Sequence, residues 1–295
     1  MKTKYQQISG LITIMVVLSL PVGSIAKADN IYVTDYGTGT IVKYDSSGNG
    51  TVFASGLNHP TGIAFDSQGT LYAAEGGVGD VGGTILKFDS SGNKTTFATG
   101  LQSPQAMIVV DSSGTLWVAE YAAGNIDKFD SSGNKTIFSS NFYHGEGLAF
   151  DSSGNLFGSA YTGSGYIYKF DSSGNRTVFA QGGSPIGLLF DDSGYLFAAN
   201  YGSGTIMKYA PDGTGTVFAS GYHNPYGLAF DSSKNMYMAD DGGGAIYKYD
   251  SLGNASLFAS GLSGPYFIAT QVPEPTTLLL LGLGVVAVIS RKRGC

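Results

Sequence analysis

One element recurs six times along this chain: a lysine, then an aromatic residue, then in most copies an aspartate. The lysines are Lys43, Lys87, Lys128, Lys169, Lys208 and Lys248, at intervals of 44, 41, 41, 39 and 40 residues. Self-similarity at a period of about 20–50 residues is the mark of a repeat architecture and limits the chain to few folds. Each period holds four short runs rich in β-branched and aromatic residues. In the second copy they are a (GIAFD, 62–66), b (TLYAAE, 70–75), c (TILKFD, 84–89) and d (KTTFAT, 94–99). Gly, Asp, Ser and Asn punctuate them. Four short strands per period of this length describe a β-propeller blade. Helical periodicity is absent outside the two ends. The 45 glycines argue the same way, since each costs about 1 kcal/mol in a helix interior.

The ends of the repeat region complete the count. The first copy, NIYVTDYGTGTIVKYDSSGNGTVFAS (30–55), has b, c and d but no a. After the sixth copy, GPYFIATQ (264–271) repeats the opening of NPYGLAF (224–230) and stops. That orphan strand is the piece blade 1 lacks, and its pairing there closes the ring and removes exposed sheet edges. The expected fold is therefore all-β, a six-bladed propeller of four-stranded blades over residues 29–272.

Both ends differ from this region. Lys2 and Lys4, the apolar run ISGLITIMVVLSL and AKA before Asp29 form a secretory signal peptide at residues 1–28. Residues 273–295 begin with Pro273 and Pro275, continue through uncharged Thr276–Ser290 and end on Arg291–Lys292–Arg293. The uncharged run is shorter than the roughly 20 residues of an ordinary span. It reads as a short transmembrane helix with a cytoplasmic C-terminus. Cys295 is the sole cysteine, so no internal disulfide supports the fold.

Residues 29–272 carry ten Lys or Arg against 21 Asp or Glu, a net charge of −11. Nucleic acid is excluded as a partner, because phosphate recognition needs clustered basic residues. Eleven of the acids head turns between strands: Asp45, Asp66, Asp89, Asp111, Asp130, Asp151, Asp171, Asp191, Asp212, Asp231 and Asp250. Five of these turns read DSSGN. An Asp that opens a turn accepts N–H groups two residues on, and the Gly supplies a positive φ. A calcium loop would need several more oxygen ligands and a distal Glu. The motif is read as turn chemistry, and the Asn-x-Ser/Thr sequons at Asn49, Asn93, Asn134, Asn175 and Asn254 as part of it.

The tail, Val272-Pro273-Glu274-Pro275 followed by an apolar helix and an Arg-rich end, resembles the PEP-CTERM sorting domain. That resemblance implies export, a temporary membrane anchor and handling by exosortase-type machinery. The repeat unit, P-x-G-[IL]-A-F-D in blades 2 and 6, resembles the NHL repeat. It is similar more widely to six-bladed proteins of the SMP-30/gluconolactonase and streptogramin-lyase type.

Chemistry in such a ring is expected where b runs into c and d into a. The last residue of b is Asp35, Glu75, Glu120, Ala160, Asn200 or Asp240, and blade 4 alone has an acid, Glu146, at the start of a. A circle of like charges raises its own pKa values unless a cation compensates. Three readings stand: acids capping their own loops, acids sharing Ca2+ or another divalent cation, or acids receiving a cationic ligand. No other cofactor is implied. The lactonase resemblance implies a Glu, an Asn and an Asp around one metal, for which Glu75 or Glu120, Asn200 and Asp240 have the right types. The lyase resemblance implies a general base, for which His144 beside Glu146 is the candidate, with His59 and His223 in similar loops. The preferred reading is an exported binding or structural module of the cell envelope or extracellular matrix. Its partners would be exopolysaccharide, a small molecule or another envelope protein. The alternative is a metal-dependent lactonase, hydrolase or lyase.

Overall fold

The computed structural model describes residues 29–76, 82–104, 108–161 and 165–271. The signal segment, the region after Gln271 and their expected helices lie outside these residues. Six four-stranded antiparallel sheets are present. Five are built from consecutive strands in the order a-b-c-d. In the sixth, Pro265–Gln271 joins Asn30–Asp35, Thr40–Tyr44 and Gly50–Ala54. The orphan strand therefore closes blade 1, with Tyr32 opposite Ala269 and Asp35 opposite Pro265.

Strand alternation buries one row of aromatics between neighbouring blades. Tyr32 on strand b of blade 1 lies edge-on to Phe53 of its own blade at 5.1 Å and to Phe65 of blade 2 at 5.0 Å. Trp117 repeats this with Phe138 and Phe150, and Phe157 with Phe179 and Phe190. The recurring lysines lie over the same rings, from Lys128 at 4.4 Å over Trp117 to Lys87 at 5.7 Å over Tyr72. Their stems cover aromatic surface while the ammonium stays wet.

The DSSGN turns are fully satisfied. Asp45 Oδ1 accepts the N–H groups of Ser47 and Asn49 at 2.9 and 3.0 Å, and Oδ2 accepts the Asn49 amide at 2.9 Å. The Asn49 amide leads the bonds that hold this carboxyl below its usual range. In the fifth c–d turn, Ala210 opens the turn instead of Asp212: Gly213 N–H reaches Ala210 O at 2.9 Å, while Asp212 Oδ1 takes Thr214 N–H. The turn glycine has a second task. Gly92 has φ +85, and a Cβ there would stand 2.2 Å from the Phe53 carbonyl oxygen of the preceding blade. Turn and inter-blade contact are one feature.

Two hydroxyls on strand b, Thr34 and Ser159, link neighbouring inner strands. Thr34 Oγ1 accepts Phe267 N–H at 3.0 Å and donates to Thr61 O of blade 2 at 2.8 Å. Ser159 Oγ accepts Gly147 N–H at 2.8 Å and donates to Ile186 O of blade 5 at 2.7 Å. Both are fully buried.

Candidate ligand-binding face

Strand b ends, and strand a starts, at the end of the propeller opposite the a–b turns. The register pairs Glu75 with Pro60, Ala160 with Gly145, Asn200 with Pro185 and Asp240 with Pro225. The six predicted positions therefore share one face. Their side chains do not converge. Asp35 Oδ2 accepts Ser263 N–H at 3.0 Å, Glu75 Oε1 accepts Asn58 N–H at 2.9 Å, and Glu120 Oε2 accepts Gln102 N–H. In each case the donor lies in the loop that leads into the acid's own blade. Three of the ring acids are thus loop caps. Asn200 lies against Gly183 and Thr205, and Asp240 against Gly243.

Calcium takes six to eight oxygens, and the carboxylates of Asp35, Glu75 and Glu120 each accept a backbone N–H of their own loop. Asn200 Oδ1, Asp240 Oδ1 and Glu146 Oε2 are buried without hydrogen-bond partners. Among the described residues no three His, Cys, Asp or Glu side chains are grouped closely enough to hold an ion.

Glu120 has further company. Lys135 Nζ lies 2.7 Å from Glu120 Oε1 and 3.2 Å from Asp127 Oδ2. Asp127 replaces the apolar residue that other blades carry there on strand c (Val42, Leu86, Met207). Burial, and then the Glu120 carboxylate, push Asp127 up to about 7. Burial also works against the charged form of Glu120, but bonds from Asp127, Lys135 and Gln102 outweigh it and hold Glu120 below its usual range.

The residues that do converge stand one place along. The position after b is Tyr36, Gly76, Tyr121, Tyr161, Tyr201 or Asp241. Each N–H here bonds to the carbonyl of the residue preceding strand a: Tyr36 to Gly264 at 2.8 Å, Tyr161 to His144 at 2.8 Å, Tyr201 to Ser184 at 3.1 Å. Those preceding residues, His59, Ser103, His144, Ser184, Asn224 and Gly264, all have positive φ. For the five that are not glycine this geometry costs about 1–2 kcal/mol each. A register irregularity follows at the start of strand a. It falls at Thr61, Glu146, Ile186, Tyr226 and Tyr266.

Glu146 is 4% exposed, and burial alone pushes its carboxyl up to about 8. It raises the hydroxyls of Tyr226 and Tyr266, which burial already holds high. Tyr266 belongs to blade 1, directly across the ring from Glu146 in blade 4, and the two groups come within electrostatic reach of each other. Around them runs a chain of rings. Tyr36 stacks on Tyr266 at 4.7 Å, Tyr266 on Tyr226 at 4.1 Å, Tyr226 meets Tyr201 edge-on at 5.6 Å, and Tyr201 meets Tyr161 at 6.1 Å. His59 lies 4.5 Å from Tyr36 at one end. Asp241, raised by burial and by Asp240 and Asp35, sits within electrostatic reach of Tyr201, Tyr226 and Tyr266.

His144 does not join Glu146: its exposed ring packs edge-on to Tyr121 at 4.7 Å, and no hydrogen bond links it to the carboxyl. His59 occupies the equivalent loop place, and His223 lies one residue earlier in its loop. The tyrosines show in the sequence as the second residue of DY (35–36), EY (120–121), AY (160–161) and NY (200–201), directly after the last residue of strand b.

Residues 271–293 match the PEP-CTERM protein-sorting motif. No curated protein matches the chain. Among solved structures, a gluconolactonase from Xanthomonas campestris is similar at 17% identity, covering 79% of this chain and 87% of that one, with a TM-score of 0.66. A streptogramin B lyase is similar at 14% identity over 81% and 83% of the two chains, TM-score 0.63. Virginiamycin B lyase from Staphylococcus aureus is similar at 14% identity over 80% and 86%, TM-score 0.58. Identities this low speak for shared fold alone. The chain thus carries the sorting motif of an exported, envelope-directed protein on a six-bladed propeller of the architecture seen in gluconolactonases and streptogramin lyases.

Proposed function

We propose that the protein is an exported binding module, organised as residues 29–272 for the propeller and 273–295 for the sorting tail. Its ligand face is the one that carries the tyrosines. The observation that supports this is the continuous chain from His59 through Tyr36, Tyr266, Tyr226 and Tyr201 to Tyr161, set above Glu146 and Asp241. Aromatic rings with a few fixed polar groups are the usual make-up of a ligand site, and tyrosine offers both an apolar face and a hydroxyl. The loops on this face contain no Lys or Arg. The strand-d cations that reach them are engaged, Lys135 by Glu120, Lys94 by Gly56 O and Arg176 by Asn141 O. This favours a neutral or cationic ligand such as an uncharged or amino-bearing extracellular polysaccharide.

Cosedimentation of the purified protein with neutral, aminated and acidic polysaccharides tests the reading. Retention by the first two, lost in a Tyr36→Ala/Tyr201→Ala variant, is the expected result. Turnover of simple lactones that stops on chelation would replace this reading with the hydrolase one.

A further inference from the structure

The opposite end of the axis holds a different kind of opening. A cavity of about 440 Å³ lies among the six inner strands where they run into the a–b turns. Pockets that hold small molecules span roughly 300–1,000 Å³. Each inner strand contributes three consecutive residues to its wall. The middle residue is Ala64, Val109, Ala149, Leu189, Ala229 or Ala269, small enough in four blades to leave the bore open. Thr270 is the one polar side chain of that wall.

Among the described residues the only charged ones at the cavity are Asp192 and Lys234, and both break the repeat. Asp192 stands where the other a–b turns have Ser67, Ser112, Ser152 and Ser232. Lys234 stands where they have Gly69, Gly114, Gly154 and Gly194. Lys234 keeps the glycine conformation, with φ +65 against +76 to +82 for those glycines. A side chain at such a φ is disfavoured by about 1–2 kcal/mol, and strain retained against a sequence pattern points to a use for the residue. Here the side chain crosses from blade 6 to blade 5 and meets Asp192 at 2.7 Å, with both groups largely exposed. Two departures from the repeat thus coincide at the mouth of one apolar-walled cavity.

We propose that this cavity binds an amphiphile with an apolar body and a carboxylate head, the body in the bore and the head on the Lys234 ammonium in place of Asp192. It is separate from the tyrosine face and independent of the ligand proposed there.

Displacement of 1-N-phenylnaphthylamine fluorescence by octanoate and by octan-1-ol, on the purified protein, tests it. Lys234→Gly restores the residue of the other turns and relieves the positive φ, so this variant folds at least as well as the parent. The expected result is saturable displacement by both probes, with the octanoate affinity falling about tenfold in Lys234→Gly and that of octan-1-ol changing less than about twofold. A bore-filling Ala64→Leu variant, at the one of the four wall alanines that is not buried, weakens both. The sorting tail is common to all variants, so probe taken up there does not change between them. Equal octanoate affinity in parent and Lys234→Gly, or no saturable displacement at all, overturns the proposal.

Discussion

Glu146 and Tyr266 come from blades on opposite sides of the ring, yet the carboxyl of one raises the hydroxyl of the other. Burial, with no charge partner among the described residues, favours the neutral form of this acid.

A pH dependence of stability follows. The Glu146 carboxyl is raised from 4.5 to about 8, so the folded state holds a proton that the unfolded chain has released. Stability is full below the ordinary glutamate range and falls as pH rises toward 8. Asp127, raised to about 7, acts in the same direction. The midpoint of thermal unfolding is expected to drop between pH 5.5 and 8.5, by the equivalent of a few kcal/mol. In Glu146→Gln the drop shrinks, and an unchanged slope would show that the carboxyl is ionised throughout.

Among the described residues Lys135 is the one cation that bridges Glu120 and Asp127. Lys135→Met is expected to cost roughly 1–3 kcal/mol at pH 8, discounted from a fully buried pair because the lysine is partly exposed. The cost is smaller at pH 5.5, where Asp127 keeps its proton. Adding Asp127→Val, the residue blade 1 carries at this place, recovers most of the loss in urea unfolding.

The hydroxyl links around the axis give a second stability test. Thr34→Val leaves Thr61 O and Phe267 N–H without their bridging partner at the point where the ring closes. Ser159→Ala does the same to Ile186 O and Gly147 N–H. Each is expected to lower the unfolding free energy by about 1–3 kcal/mol, although alanine is the residue of blades 2, 3, 5 and 6 at this place. A neutral result for Ser159→Ala would mean that the neighbouring strands close the gap unaided.

Gly92 and Gly56 separate conformation from contact. Both have positive φ, but a Cβ at Gly56 meets nothing within 4 Å. Gly56→Ala is expected to cost about 1–2 kcal/mol for the backbone alone. Gly92→Ala adds a clash with the Phe53 carbonyl, worth about 1–3 kcal/mol more. Equal urea midpoints for the two variants would remove the inter-blade role given to the turn glycine.

The strand pattern, the turn chemistry and the missing strand of blade 1 are all short-range signals. Alternation along GIAFD, the Asp and Gly of DSSGN and the echo of NPYGLAF in GPYFIATQ depend on neighbours within a few residues, so the sequence alone carried the fold. The same holds for the shared face of Asp35, Glu75, Glu120, Asn200 and Asp240, because equal places in equal repeats fall at equal heights. Which way a side chain points from that height is another matter. It depends on the positive φ before each strand a, on the irregularity after it and on the rotation between blades. These turn Asp35, Glu75 and Glu120 back onto their own loops and bring Glu146 within electrostatic reach of Tyr266 across the ring. Only the closed ring decides that, since its partners lie far apart in sequence and meet only when the last strand has joined the first.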